Sequence, residues 1–139
     1  MGQRSRTDLP RGTEMILLVE EETVVRSLAF AVLTDCGYTV CQTGLAADAV
    51  QIAEREREAL QLLLADIAMR GQGGRSLAER ISRLSPSIKV LFTSGYPDEL
   101  VRAGPGGREL NFLSKPFTPR ALAEAVRNVL DSSAKECLS

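Results

Sequence analysis

The sequence predicts an α/β domain built on an open parallel sheet with helices on both faces. Three observations predict it. Short, almost wholly apolar runs recur along the chain, and runs without alternation belong to strands buried on both faces. Between them, apolar residues repeat at helical spacing, and glycines and prolines fall at the joins. Strand and helix alternate five times over 139 residues, a length that suits one domain. Parallel strands in such a chain are linked by right-handed crossovers that cover the sheet on both sides.

Met1 to Thr13 mixes Gly, Arg, Ser, Thr and Pro without periodicity and reads as a flexible tail over 1–13, ahead of a domain at 14–131. Met15-Ile16-Leu17-Leu18-Val19 is the first strand and, being fully apolar, a central one. Glu20-Glu21-Glu22 follows it. From Thr23, apolar residues recur at Val24, Leu28 and Val32 and again at Val25, Ala29 and Leu33, which predicts a helix. Gly37 ends that helix as a left-handed C-terminal residue. Tyr38 to Cys41 is a second, shorter strand. Ala46, Ala49, Val50 and Ala53 mark a second helix running out into Glu54-Arg55-Glu56-Arg57-Glu58, a solvated helix end.

Leu62-Leu63-Leu64-Ala65-Asp66 is the third strand, and a glycine-rich stretch follows it. Leu77, Ile81 and Leu84 mark the third helix, closed by Ser85-Pro86. Ile88 to Phe92 is the fourth strand, leading into Thr93-Ser94-Gly95-Tyr96. Pro97 to Ala103 makes a short fourth helix before Gly104-Pro105-Gly106-Gly107 breaks it. Leu110 to Leu113 is the fifth strand, followed by Ser114-Lys115-Pro116-Phe117. Thr118 as N-cap and Pro119 in the first turn open the last helix. Its apolar face is Leu122, Val126, Val129 and Leu130, and 132–139 is a second flexible tail.

Composition narrows the function. With 44% apolar residues the chain can bury a core, and a net charge of −1 gives no footprint for nucleic acid or an anionic membrane. No apolar stretch has the ~20 residues that span a bilayer, and 1–14 lacks the apolar centre of a signal peptide. Cys36, Cys41 and Cys137 form no metal-ligand spacing, and reduced cysteines suit a cytoplasmic protein. There is no histidine, which excludes Ser-His and Cys-His nucleophilic sites, His-built zinc sites and a phosphohistidine on this chain.

Open α/β sheets bind ligands beyond the carboxyl ends of their strands. Those ends carry Glu20 and Glu21, Asp66, Thr93 and Lys115. Three carboxylates at one edge do not all ionise without a cation, and hard oxygen ligands suit Mg²⁺. The metal and Lys115 together neutralise an anion rich in oxygen, with the Thr93 hydroxyl as a further donor. A phosphoryl group carried on Asp66 fits that description. Each residue alone also has a plainer reading. Acidic residues at a helix start suit its dipole, Lys115-Pro116 is a turn, Thr93 a strand-end hydroxyl and Phe112 a core aromatic. Their coincidence carries the functional reading.

Ile16-Leu17-Leu18-Val19-Glu20-Glu21-Glu22, Asp66-Ile67-Ala68-Met69 with Gly74, Val90-Leu91-Phe92-Thr93-Ser94-Gly95 and Phe112-Leu113-Ser114-Lys115-Pro116-Phe117 together resemble the receiver domain of two-component response regulators. The Thr93-Ser94-Gly95-Tyr96 wording resembles receivers attached to hybrid sensor histidine kinases. The resemblance implies a flavodoxin-like, doubly wound five-stranded parallel sheet of order 2-1-3-4-5 with five helices, the fourth short. It implies Asp66 as phosphoacceptor in a phosphorelay, taking the group from a phosphohistidine on a sensor histidine kinase or histidine phosphotransfer protein. Glu21 would ligate Mg²⁺ directly, Glu20 through water, and the Ala68 carbonyl would complete the shell with Asp66. Lys115 would pair with the phosphoryl oxygens, helped by a cis bond to Pro116. Thr93 would move toward the phosphoryl group, and Phe112 would swing inward as it does. Such a domain is a signalling module rather than an enzyme, although it promotes its own phosphorylation and dephosphorylation.

The pattern is broken in three places. Glu21 stands where the family usually has Asp, and Mg²⁺ demands near-ideal octahedral geometry. Arg70 stands where proline is common. The short, glycine-broken fourth helix argues against regulated dimerisation through that face, so a monomer or weak dimer is expected. The alternative function is a phosphorylation-independent pseudo-receiver acting as an interaction module. A phosphohydrolase would want a carboxylate at Ala68, and a nucleotide or flavin site would want glycines where Glu20 to Glu22 stand.

Overall fold

β1 (Met15–Val19) is the middle of the site-bearing half of the sheet, flanked by β2 (Thr39–Thr43) and β3 (Leu60–Asp66). β4 (Lys89–Ser94) and β5 (Phe112–Ser114) continue beyond β3. The computed structural model describes residues 9–69, 73–95 and 111–132. All pairings are parallel and the order is β2-β1-β3-β4-β5, as the sequence led one to expect. Four helices occur among the described residues: α1 (Thr23–Asp35), α2 (Ala46–Arg55), α3 (Gly74–Leu84) and α4 (Pro119–Asp131). The short helix expected at Pro97 to Ala103, and Arg70, lie outside the described residues.

The pleat sends alternate side chains to opposite faces, and each face has its own core. Ile16, Leu18, Leu62, Leu64 and Leu91 meet α1 and α4 through Ala29, Leu33, Leu122 and Val126. Leu17, Val19, Leu63, Ala65 and Phe92 meet α2 and α3 through Ala49, Ala53, Leu77 and Ile81. Truncating any of these leucines to alanine leaves a cavity and costs about 2–5 kcal/mol.

The helix ends explain the boundaries. α1 closes with Gly37 at φ +106°, the Gly37 N–H on the Thr34 carbonyl and the Tyr38 N–H on the Leu33 carbonyl, which is the Schellman arrangement. Thr118 caps α4, its hydroxyl accepting the Ala121 N–H at 3.0 Å, with Pro119 next. Gly74, at the start of α3, lies so close to β3 that a Cβ there would come 2.5 Å from the Asp66 carbonyl oxygen.

Some expectations need correction. β2 runs to Thr43 and β3 starts at Leu60 because pairing with β1 extends them past their apolar runs, and pairing with β3 and β5 carries β4 to Ser94. Of the two apolar stripes on α1, the one through Val25, Ala29 and Leu33 faces the sheet, whereas Val24 and Leu28 are exposed. Residues 9–13, read as part of a tail, are pinned to the domain. Leu9 is buried in the α1/α4 core, the Gly12 N–H donates to the Cys36 carbonyl, and Arg11 donates to the Asp35 carbonyl. A strap held by long-range contacts leaves no periodicity to read.

Candidate functional site

Register builds the site. Val19 pairs with Ala65, so Glu20 and Asp66 emerge side by side from the two central strands. Asp66 pairs with Thr93, and Ser94 with Ser114, while the Lys115 N–H donates to the Ser94 carbonyl at 2.8 Å. A lysine nearly fifty positions downstream thereby arrives over the two acids. Its Nζ lies 3.1 Å from Glu20 Oε1 and 3.2 Å from Asp66 Oδ2, with Glu22 Oε1 at 3.9 Å. The other oxygens are also held. Glu20 Oε2 accepts the Glu22 N–H and Asp66 Oδ1 accepts the Ala68 N–H, both at 3.1 Å. The Lys115–Pro116 bond is cis.

The electrostatics are those of a strained balance. Glu20 is 2% exposed, and burial pushes its carboxyl above the usual range despite the Glu22 N–H and Lys115, which favour the anion. For Lys115 burial pulls downward, but the hydrogen bonds and charges of Glu20 and Asp66 outweigh it and raise the amine above its ordinary value. One ammonium thus serves two buried carboxylates.

Of the residues the sequence singled out, Glu20, Asp66 and Lys115 converge directly. Thr93 is buried beside Asp66 and lines a small pocket with Glu20, Val25, Ala29 and Phe117. Phe112 is half-buried on β5 with its ring 5.8 Å from that of Phe92, on the α2/α3 side of the sheet. Ala68 contributes its N–H to Asp66. Among the described residues no three acidic side chains gather closely enough to hold a metal ion. The donor chemistry nonetheless fits a hard divalent cation, since Glu20 and Asp66 present paired, largely buried carboxylate oxygens. Glu20 and Asp66 would hold such a cation, which would supply positive charge beside that of Lys115.

Two participants escaped the sequence reading. Glu22 is the third carboxylate within reach of Lys115. Arg26, on α1, donates from Nη1 to the Glu20 carbonyl at 2.7 Å. A lone arginine among Val24, Val25, Leu28 and Ala29 was the available signal for it.

A five-stranded 2-1-3-4-5 sheet with an acid–acid–lysine cluster at its carboxyl edge defines a receiver of two-component signalling. The chain belongs to the response regulator receiver domain family, whose model matches residues 16–127. It is 33% identical to the sensor kinase CckA of Brucella abortus over 90% of its length, and spans 13% of that kinase. It is 30% identical to the receiver protein CpdR of the same organism, covering 83% of this chain and 95% of CpdR. Among solved structures it superposes on the receiver domain of the hybrid histidine kinase CckA with a TM-score of 0.72 and 33% identity, over 84% of this chain and 99% of that one. No helix among the described residues is long and apolar enough to cross a membrane.

Proposed function

We propose that the chain is an active phosphoacceptor, working in the cytoplasm as a monomer or weak dimer. A phosphohistidine on a sensor kinase or phosphotransfer protein is the donor. An Asp66 carboxylate oxygen forms the new P–O bond as the P–N bond to the donor imidazole breaks, and the imidazole leaves with its electron pair and takes up a proton. The product is an acyl phosphate on Asp66. Lys115 keeps one hand on Asp66 and exchanges its contact with Glu20 for a phosphoryl oxygen, so the charge arriving on the donor is met by a cation already in place. Thr93, beside Asp66 in register, offers its hydroxyl to the same group, and Phe112 follows that movement. Glu20, Glu21, Asp66 and the Ala68 carbonyl would hold Mg²⁺, which when bound neutralises phosphoryl oxygens.

The observation that carries this reading is the Lys115 amine seated between the Asp66 and Glu20 carboxylates. The test is exposure to acetyl phosphate with Mg²⁺ and measurement of intact mass. We expect a gain of one phosphoryl group that is absent in Asp66→Asn. An unchanged mass in the native chain would favour the pseudo-receiver, a reading that the Glu21 departure keeps alive.

A further inference from the structure

We infer that Arg26 is a positioning residue for the acidic loop, seated in a slot that a glycine at 44 leaves open. This inference rests on the phosphoacceptor reading of the site. Arg26 touches neither Asp66 nor Lys115 in any contact described above. What it holds is the backbone of Glu20. Its Nη1 donates to the Glu20 carbonyl at 2.7 Å, while the Glu20 N–H donates to the Thr43 carbonyl at 3.1 Å. Both backbone groups of Glu20 are therefore tied, one to the end of β2 and one to α1.

The second observation concerns Gly44, the residue after β2. A Cβ built there would stand 2.6 Å from Arg26 Nη1 and 3.3 Å from the Glu20 carbonyl oxygen. Gly44 is not among the described glycines with positive φ, so its backbone does not call for glycine. The space does. The guanidinium passes over the residue where a side chain would begin, and a methyl group would evict the flexible end of Arg26 rather than the backbone.

The consequence for the site follows from covalent geometry. The Glu20 carbonyl and the Glu21 N–H share one rigid peptide plane. Releasing the carbonyl lets that plane turn about its link to the Glu21 Cα, and the next peptide, whose Glu22 N–H holds Glu20 Oε2, loses its fixed starting point. The Glu20 carboxylate then loses its aim at Lys115, and Glu21 its fixed origin. A cationic guanidinium on this carbonyl also lowers the cost of crowding Glu20, Glu21 and Glu22 together, and charged donors make the stronger hydrogen bonds.

The test uses the whole chain and acetyl phosphate, with the phosphorylation rate at saturating donor followed by intact mass. Partners that orient site groups from behind typically contribute 10–100-fold, so Arg26→Gln should slow the reaction about tenfold. Arg26→Lys, which keeps a cationic donor, should recover most of the rate. Gly44→Ala should reproduce the Arg26→Gln loss, and the double variant should be no slower than either single one, because both remove the same bond. Thermal midpoints close to the native one would separate positioning from loss of fold. A native rate in Arg26→Gln, or losses that multiply in the double variant, would overturn the inference. Should the native chain take up no phosphoryl group, the phosphoacceptor reading fails, and amide NMR spectra judge the Arg26 bond separately. Both single variants should then shift the Glu20, Glu21 and Glu22 amides alike, and unmoved amides would refute it.

Discussion

The two ends of β1 carry clusters built alike, one cation among carboxylates, and opposite in character. Beyond its carboxyl end, Lys115 faces Glu20 and Asp66. Before its amino end, Arg127 faces Glu14 and Asp131. Its Nη2 lies 2.7 Å from Glu14 Oε2 and 2.9 Å from Asp131 Oδ1, and its Nη1 lies 3.2 Å from Glu14 Oε1. Arg127 also donates to the Tyr38 hydroxyl at 3.1 Å and to the Arg11 carbonyl at 3.0 Å. Each cation holds two carboxylates closely, with Glu22 farther out at 3.9 Å from Lys115, yet Glu20 is pushed above the usual glutamate range and Glu14 is held below it. Burial decides the difference. The Glu20 side chain is 3% exposed and that of Glu14 is 22% exposed, so desolvation dominates at the first and the hydrogen bond from Arg127 at the second.

The cations differ for a related reason. A guanidinium grips a carboxylate with a rigid fork, which suits the clamp that ties α4 to the strap at 9–14. An ammonium is a compact charge on a flexible stem, free to leave one partner for another. The clamp joins distant segments through a fork, whereas the carboxyl-edge ammonium is shared among carboxylates.

Three substitutions sharpen this contrast. The largest effect is expected from Lys115→Met, which strands two buried carboxylates. Removing one partner of a buried charge pair costs about 3 kcal/mol or more, so urea unfolding at pH 8 should show a loss of that order. The loss should shrink as the pH falls through the raised Glu20 value and that carboxyl takes a proton, and phosphorylation of Asp66 should be weaker in the variant. A variant as stable as the native chain at pH 8 would mean that the cluster is not desolvated.

Next, Arg127→Leu should cost about 2 kcal/mol through its lost charged hydrogen bonds while leaving phosphorylation of Asp66 intact. Because the folded chain lowers the Glu14 pKa, the clamp contributes fully above the ordinary glutamate range and loses strength as pH falls below about 4. The gap between native and Arg127→Leu stabilities should therefore close in acid. A gap that is constant with pH would assign the effect to packing on Tyr38 instead.

The smallest effect is expected from Glu20→Gln, and its sign is reversed. A raised folded pKa means that the native chain holds the proton more tightly than the unfolded one, so the charged form is penalised once pH exceeds the raised value. Glu20→Gln should match or exceed native stability at pH 8 by about 1 kcal/mol, and the advantage should vanish in acid where Glu20 is protonated. Denaturant titrations at both pH values check it. A clear loss at pH 8 would show that the anion stabilises the fold.

Much of this was legible in the residues alone, because strands and helices are local events. The unbroken apolar runs at Met15 to Val19 and Leu62 to Ala65 specified buried strands, and the repeats at Leu77, Ile81 and Leu84 or at Leu122, Val126 and Val129 specified helix faces. Gly37, Thr118 and Pro119 marked ends by backbone chemistry that needs no partner. The strand-end positions of Glu20, Asp66, Thr93 and Lys115 followed from that alternation, since a parallel sheet puts every carboxyl end on one edge. What the chain could not announce was which partners those groups would choose. That Lys115 bridges Glu20 and Asp66, that Arg127 reaches Glu14 across 113 positions, that Leu9 is core and Val24 is not, and that Arg26 passes over Gly44 are all decided by register and packing between distant segments. Local sequence sets torsion preferences and the period of burial; the burial that separates Glu20 from Glu14 exists once the layers have closed.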